Sequence, residues 1–353
     1  MHRIRKILSL LAALLLTLVP APASASEHGT PSEPDELDMQ SYLFGHIGDA
    51  YEWHITTVNE HHISIPLPCI VIDDGLHVFM SNHAEDSGYT FNEDGKLVNA
   101  ATGERPIDIS ITKNVFSLIL SSILLVVLIL WTASWYRKHD AMKEAPRGFA
   151  GLMEMLITMV TDEIIKEGVG KDYERYAPYL LTAFFFIFLN NLLGIVPFFP
   201  GGANVTGNIA VTLVLALCTF LAVNLFGNKH YYKDIFWPEV PTWLKVPLPL
   251  MPLIEIIGIF TKPFSLMVRL FANILAGHIM ILGVVAVVFL TAKLGPLLNG
   301  SMTVISVLFG VFMDILELLV AFIQAFVFTM LSSVFIGLSR QEPEHETRIE
   351  TTK

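Results

Sequence analysis

Two apolar stretches near the C-terminus, each nearly forty residues long, constrain the fold of this chain more than any other feature. They run from Pro252 to Leu290 and from Ser301 to Leu338. At ~1.5 Å per residue, each reaches about 55–60 Å if it is helical throughout. The hydrocarbon core of a bilayer is only about 30 Å thick. Each stretch therefore either breaks in two, with Pro263 as a bend in the first, or lies strongly inclined to the membrane normal.

Three shorter apolar runs predict further membrane helices, at about Val115–Tyr136, Tyr179–Pro197 and Gly207–Phe226. A fourth segment, Gly148–Val169, has apolar residues at helical spacing, but charged residues lie between them, among them Glu154, Asp162, Glu163 and Lys166. This pattern predicts an amphipathic helix that lies on the cytoplasmic face or packs against other helices.

The sequence therefore predicts an all-α polytopic membrane protein with about five membrane helices and one amphipathic helix. The last two membrane helices are expected to form a long, strongly tilted hairpin. The short polar link from Thr291 to Gly300 would turn it on the outer side of the membrane. Mean hydropathy of +0.57 and a charged fraction of 16% agree with this class.

The N-terminus has the three parts of a secretory signal peptide. A basic start, Met1–Lys6, precedes an apolar run, Ile7–Val19, and a small-residue cleavage pattern, Ala23–Ala25. A membrane anchor is the alternative. Basic residues follow the first and third spans, and the positive-inside rule makes those ends cytoplasmic. We expect a bacterial inner-membrane protein with a periplasmic mature N-terminus and a cytoplasmic C-terminus.

An acidic segment separates the signal peptide from the first span. Between Ser26 and Lys113 there are sixteen Asp or Glu residues and three Lys or Arg residues, which argues against nucleic-acid binding. The runs His61–Asp73 and Gly75–Met80 are typical of short strands. We expect four regions: a signal peptide (1–25), an acidic periplasmic ectodomain with some β-structure (26–113), a membrane domain (114–339) and a cytoplasmic tail (340–353).

The two long stretches carry ionisable and polar side chains inside the predicted membrane spans, where burying them costs free energy. Such residues inside membrane spans are usually functional. They are Arg269, Asn273, His278, Asp314, Glu317 and Gln324. Because the guanidinium of Arg269 is always charged, it must face a carboxylate or a wet cavity. An ion pair within the chain, to Glu317 or Asp314, is the alternative to a functional role.

Helical spacing sorts these residues by face. Asn273 lies four residues after Arg269 on the same face, whereas His278, nine residues on, lies about half a turn away. Glu317 and Gln324, seven residues apart, share a face of the other helix, with Asp314 one turn before Glu317. A histidine near carboxylates can relay protons because imidazole titrates near neutral pH. A polar contact that only joins two helices is the alternative.

Several runs in these spans resemble the core motifs of subunit a of F-type ATP synthases. The resemblance covers roughly Val115 to Leu338. The chain is similar to those bacterial members of the family that have a signal peptide and an extended N-terminal ectodomain. Its blocks are R-L-F-A-N-I-L-A-G-H (Arg269–His278), E-x-x-V-A-F-I-Q-A-F-V-F (Glu317–Phe328), N-N-L-L-G-I-V-P (Asn190–Pro197) and T-G-N-I-A-V-T-L (Thr206–Leu213).

The resemblance implies a role for most of the polar residues. Arg269 matches the essential arginine that faces the proton-carrying carboxylates of the rotor ring, and Asn273 and Gln324 match polar residues beside it. His278 and Glu317 occupy the positions of a Glu/His pair whose two residue types are exchanged in some members.

Two further polar residues belong to the candidate path. Asn191 matches a polar residue on an earlier span, whereas Asp314 has no counterpart, so its role stays open. The implied function is proton translocation through two aqueous half-channels to and from the rotor ring, coupled to ATP synthesis. The implied partners are the ring c subunits, the peripheral-stalk subunit b, the rest of the synthase and membrane lipid.

Two other classes of function are weighed against this one. A self-contained ion transporter or channel would usually show internal repeats, and none is evident. A membrane metalloenzyme or metal receptor could use the ectodomain histidines His54, His61, His62, His77 and His83, with Glu60 and Asp49. The sequence lacks H-E-x-x-H and C-x-x-C spacing, a Walker motif and a dinucleotide fingerprint. We expect no bond chemistry, no cofactor and no metal.

Overall fold

The computed structural model describes residues 48–58, 61–92, 95–140, 144–196, 201–236, 250–291 and 296–341. The predicted signal peptide and most of the predicted tail lie outside this part of the chain. Small sheets occupy the N-terminal region and helices make up nearly all of the rest. The chain is therefore a polytopic helical membrane protein with a small β-containing domain, as the sequence predicts.

The described part of the N-terminal domain contains seven short strands in three antiparallel sheets. The sheets have the orders β1-β2, β4-β3-β7 and β5-β6. The predicted strand regions at His61–Asp73 and Gly75–Met80 are confirmed by β2, β3 and β4. The strands are β1 (Glu52–Val58), β2 (His61–Pro66), β3 (Pro68–Ile72), β4 (Leu76–Met80), β5 (Tyr89–Phe91), β6 (Leu97–Asn99) and β7 (Ile107–Asp108).

A small core holds these sheets together. It contains Tyr51, Cys69, Val71, Tyr89 and Leu97, all buried. The Tyr51 hydroxyl donates a hydrogen bond to the Asp108 carboxylate. Burial raises the pKa of the Cys69 thiol to about 11, so this thiol stays protonated near neutral pH.

The domain is attached directly to the first membrane helix, α1 (Lys113–Lys138). The Lys113 amide donates to the Ala50 carbonyl at 2.8 Å, and the Ile111 amide donates to the Pro68 carbonyl at 3.0 Å. The rings of Trp53 and Phe116 pack edge to face, with their centroids 5.8 Å apart, and Phe116 lies in the first turn of α1. The base of the β-domain and the start of α1 therefore form one packed unit.

Seven further helices follow α1 in the described part of the chain. A π-helical turn, Val160–Lys166, joins α2 to α3. The helices are α2 (Phe149–Met159), α3 (Glu167–Val169), α4 (Tyr173–Ile195), α5 (Ile209–Leu225), α6 (Lys229–Phe236), α7 (Leu250–Thr291) and α8 (Pro296–Arg340).

The prediction of about five membrane helices is confirmed. Four helical segments of the described chain are long and apolar enough to cross a membrane: Lys113–Lys138, Phe149–Ile195, Met251–Val288 and Leu298–Arg340. The pair α5 and α6, bent by 98° between them, is a fifth candidate.

The hairpin of α7 and α8 is built from two unbroken helices of 42 and 45 residues. The alternative that each stretch breaks in two is therefore wrong, and Pro263 lies inside α7. At ~1.5 Å per residue the helices are about 63 and 68 Å long, so they must incline strongly within a bilayer.

The turn of this hairpin is shorter than the predicted link from Thr291 to Gly300. Helix α8 already begins at Pro296, because proline suits the first helical position, where its missing N–H costs nothing. The Thr291 hydroxyl donates to the Asn299 side-chain oxygen at 3.2 Å and so joins the two helix ends.

The predicted amphipathic helix corresponds to α2, the π turn and α3, which lead into α4 through a 3-10 turn. Its apolar side packs inward, with Val160, Ile164 and Ile165 fully buried. The Ser333 hydroxyl of α8 donates to the Ile164 carbonyl at 3.3 Å. Of the two alternatives for this segment, packing against other helices is therefore the one observed.

Candidate functional site

Most of the polar residues singled out in the sequence come together where α7, α8 and the end of α4 meet. Helix α8 packs against both α7 and α4 over much of its length. The facing surfaces are largely apolar, so every polar group between them must find a partner or water.

His278 and Glu317 form the centre of this site. The Nδ1 atom of His278 lies 3.2 Å from Oε1 of Glu317, within ion-pair distance but not aligned as a hydrogen bond. The Glu317 side chain is 5% exposed and that of His278 17%. Among the described residues, His278 Nε2 and both Glu317 oxygens have no hydrogen-bond partner. Because buried polar atoms are nearly always satisfied, these atoms favour a hydrated site.

Two glycines allow this close arrangement. A Cβ atom on Gly277 would lie 3.0 Å from Glu317 Oε1, and one on Gly194 would lie 3.6 Å from His278 Nε2. The sequence analysis assigned no role to either glycine. Both leave room beside titratable atoms that a side chain would take.

Arg269 lies on a different surface of α7 from His278, as their spacing predicts. The residue is exposed, as are the apolar side chains of Phe264 and Val268 that precede it in α7. It makes no ion pair with any residue that the structure describes, so the alternative of an internal pair with Glu317 or Asp314 is wrong. Its charge is left for water or for a carboxylate from outside the described part of the chain.

A direct contact joins the two helices near Arg269. The Asn273 side-chain amide donates to the Gln324 Oε1 atom at 2.7 Å. Gln324 is buried at 2% exposure, and its Nε2 atom has no partner among the described residues. This pair fixes one end of the polar tract beside the exposed arginine.

Asn191 connects α4 to both neighbouring elements of the site. Its Nδ2 donates to the Ala321 carbonyl of α8 at 3.3 Å, and its Oδ1 accepts from the Thr206 hydroxyl at 2.6 Å. Asp314, by contrast, is exposed on α8 and forms no ion pair in the described chain. The structure therefore brings Asn191 into the cluster and leaves Asp314 at its edge.

Further buried polar residues surround the cluster and were missed as individual sites. They are Asn190, Asn204, Asn208 and Thr329, and three of them carry an atom with no hydrogen-bond partner in the described chain: Asn190 Oδ1, Asn204 Nδ2 and Thr329 Oγ1. The signal in the sequence was their position within or beside apolar runs. Within the described residues, no group of three His, Cys, Asp or Glu side chains is placed to hold a metal ion.

Comparison with known proteins gives matches across most of the chain. The family described as ATP synthase A chain matches residues 119–337. A second family, described as a domain of unknown function (DUF8433), matches residues 42–113.

Similar curated proteins are named ATP synthase subunit a. The one from Pelodictyon phaeoclathratiforme is 43% identical over 245 residues, covering 68% of each chain. That from Chlorobium phaeobacteroides is 39% identical over 274 residues, covering 76% of each chain. That from Myxococcus xanthus is 42% identical over 241 residues, covering 66% of this chain and 74% of its own.

Proposed function

Because the chain belongs to the ATP synthase A chain family, which is part of the proton-translocating membrane sector of the synthase, we propose that it carries protons to and from the carboxylates of a rotor ring. In this proposal the chain provides two aqueous half-channels and catalyses no bond chemistry. The ring c subunits, a peripheral-stalk subunit b and the remaining synthase subunits are its partners. It lies in a bacterial inner membrane, with a periplasmic N-terminal domain and a cytoplasmic C-terminus.

One observation carries the proposal: Arg269 is exposed on an apolar face of the hairpin and has no carboxylate partner in the described chain. A permanent charge in such a place is costly unless a partner supplies the opposite charge. A ring carboxylate that arrives opposite Arg269 would be held in its ionised form, since a nearby cation lowers a carboxylate pKa.

Movement of the ring follows from that electrostatic preference. A ring carboxylate must be neutral while it faces lipid, because a bare charge there is prohibitive. It therefore gives up its proton to one half-channel near Arg269 and takes one from the other before it returns to lipid. The same arginine opposes a direct proton leak between the half-channels. The driving energy is about 2.3 kcal/mol per charge for each 100 mV across the membrane.

His278 and Glu317 are proposed to relay protons in the half-channel that opens to the outer side. Their contact at 3.2 Å and their unpartnered atoms support this role, because a proton can pass between them or through water beside them. Asn191, Asn273 and Gln324 would line the path and position its water. We assign no step to Asp314.

The test replaces Arg269 and measures coupling in membrane vesicles. Arg269→Ala should abolish ATP-driven proton pumping and proton-driven ATP synthesis, while the complex still assembles. The control is Lys262→Ala, which removes a cation of the same helix that lies over the Phe335 ring at 5.7 Å. This control should keep coupling. Normal coupling in Arg269→Ala would overturn the proposal and favour a self-contained transporter.

A further inference from the structure

A buried carboxyl group lies where the N-terminal domain meets the first membrane helix. Asp49 is 7% exposed. Its Oδ1 atom accepts hydrogen bonds from the amides of Asn114 at 3.0 Å and Ala50 at 3.1 Å. The Asn114 amide belongs to the first turn of α1, where backbone N–H groups have no helical partner and the helix dipole favours a negative charge. Asp49 thus caps α1 from outside the helix.

Capping does not account for the whole carboxyl group. The second oxygen, Oδ2, is buried and accepts no hydrogen bond of regular geometry in the described chain, and the Asn114 Oδ1 atom likewise has no hydrogen-bond partner there. Burial raises the pKa of Asp49, while the Asn114 amide, the Thr112 side chain, the Lys113 charge and the Ala50 amide act against this rise. A carboxyl with a raised pKa exchanges protons closer to neutral pH than an ordinary one.

This corner of the structure is connected to the His278–Glu317 site. Lys113, the first residue of α1, acts electrostatically on Asp49. Below Lys113, the buried residues Asn114, Ser117 and Ser121 follow one another along one face of α1. That helix packs against α4, whose end carries Gly194 beside His278 Nε2. Buried polar groups thus run from the base of the N-terminal domain towards the relay.

We propose that Asp49 is the entry group of the outer half-channel, where it takes protons from the outer aqueous phase and passes them towards His278 and Glu317. The N-terminal domain is then a working part of the proton path. The charged and titratable groups along this path are Asp49, Lys113 on α1, His278 on α7 and Glu317 on α8. The inference rests on the proposed function of the membrane domain, but it concerns a residue outside that domain.

Asp49→Asn separates the two roles of this residue, because an asparagine oxygen can still cap α1 but the side chain cannot titrate. Proteoliposomes carrying the whole complex, with the N-terminal domain facing the lumen, are energised by an acid–base transition. Asp49→Asn should lower the rate of ATP synthesis several-fold, with normal assembly and ATP hydrolysis. The deficit should shrink as the luminal pH is lowered, and Asp49→Glu should restore most of the rate.

The matched control is Asp73→Asn, which alters a half-buried carboxylate of the same domain. Asp73 accepts from the Asn99 side chain at 2.8 Å and follows the end of β3 that is distant from Lys113. This variant should synthesise ATP at the wild-type rate. Equal rates for Asp49→Asn and wild type at every luminal pH would overturn the inference, while the result for Arg269→Ala would still stand on its own.

A second measurement keeps the inference testable if Asp49→Asn fails to assemble. Asn114→Cys is placed in a chain whose native Cys69 and Cys218 are replaced by alanine, and Ag⁺ is supplied from the luminal side. If the path is aqueous, Ag⁺ should bind the new thiol and block proton-driven synthesis. Full activity of the assembled Asn114→Cys complex in the presence of luminal Ag⁺ would contradict the proposed route.

Discussion

At the scale of single residues, the site separates a permanent charge from a titratable pair. Arg269 is exposed and unpaired within the described chain, whereas Glu317 is buried against His278. Arg269 and His278 occupy different faces of α7, so the charge proposed to face the ring and the proposed relay can act without forming an internal ion pair. An internal pair would neutralise both groups and leave neither available to a ring carboxylate.

Replacing one member of the relay tests the proposed pair. Glu317→Gln keeps the size of the side chain but cannot titrate, so proton-driven ATP synthesis should fall by ~10-fold or more. His278→Glu combined with Glu317→His restores a pair of the same two types and should recover much of the loss. Synthesis rates in energised vesicles measure both effects. A double variant no better than either single variant would contradict a shared relay.

The sequence identified Arg269, His278, Glu317 and Gln324 because polar groups inside apolar runs are costly wherever they occur. It did not identify Gly194, and it named Asp49 only as a possible metal ligand, since the importance of both residues comes from a neighbour distant in the chain. Gly194 matters because His278 Nε2 lies beside it, and Asp49 because it meets α1. Such long-range juxtapositions cannot be read from local spacing.

At the scale of elements, the positions of the membrane helices were predictable from the sequence, but the start of α8 and the packing partners of the helices were not. Hydropathy located α1, α4 and α5 within a few residues at most ends, because a bilayer demands uninterrupted apolar helix. The start of α8 was misjudged, since Asn299 and Gly300 suggested a link, although Pro296, five residues before Ser301, begins the helix. The π turn was not predictable, because it reflects packing against α8.

The contact between α3 and α8 depends on the absence of a side chain at Gly337. A Cβ atom there would lie 1.9 Å from the Gly168 carbonyl oxygen, so Gly337→Ala must displace one of the two helices. Overpacking of this kind typically costs about 1–3 kcal/mol. We expect a lower unfolding temperature of the complex in detergent.

Gly310→Ala is the control for that substitution. It lies in the same helix, and nothing stands within 4 Å of its Cβ position, so only helix propensity changes. This variant should be as stable as wild type or slightly more stable. If Gly337→Ala were equally stable, the close approach of the two helices would be wrong.

At the scale of the whole molecule, the C-terminal end of α8 contacts the start of α4 and the segment between α5 and α6. Arg340 forms an ion pair with Asp172, just before α4. It also donates to the Phe226 carbonyl and to the Asn228 side chain at 3.1 Å each, between α5 and α6. The Asn228 amide in turn donates to the Ser339 carbonyl at 2.8 Å. The bundle is thus closed at the end opposite the N-terminal domain.

Arg340→Ala should open this end and lower the stability of the bundle by about 1–3 kcal/mol, because charged hydrogen bonds are lost and carbonyl groups lose their partner. Arg340→Lys should restore only part of the loss, since a lysine cannot reproduce the planar fork. Thermal unfolding in detergent measures the change. Arg147→Ala, at an exposed position before α2, should have almost no effect.

The claim that the Arg269 surface of the hairpin faces the rotor ring is tested most directly by cysteine cross-linking. Ala272→Cys places a thiol one turn from Arg269 on an exposed position of α7, with Cys69 and Cys218 replaced by alanine. The second thiol is placed one turn from the proton-carrying carboxylate of the ring subunit. Val127→Cys, on the exposed side of α1, is the control. We expect a disulfide between the Ala272→Cys chain and the ring, and none from Val127→Cys. A disulfide from position 127 with none from position 272 would contradict it.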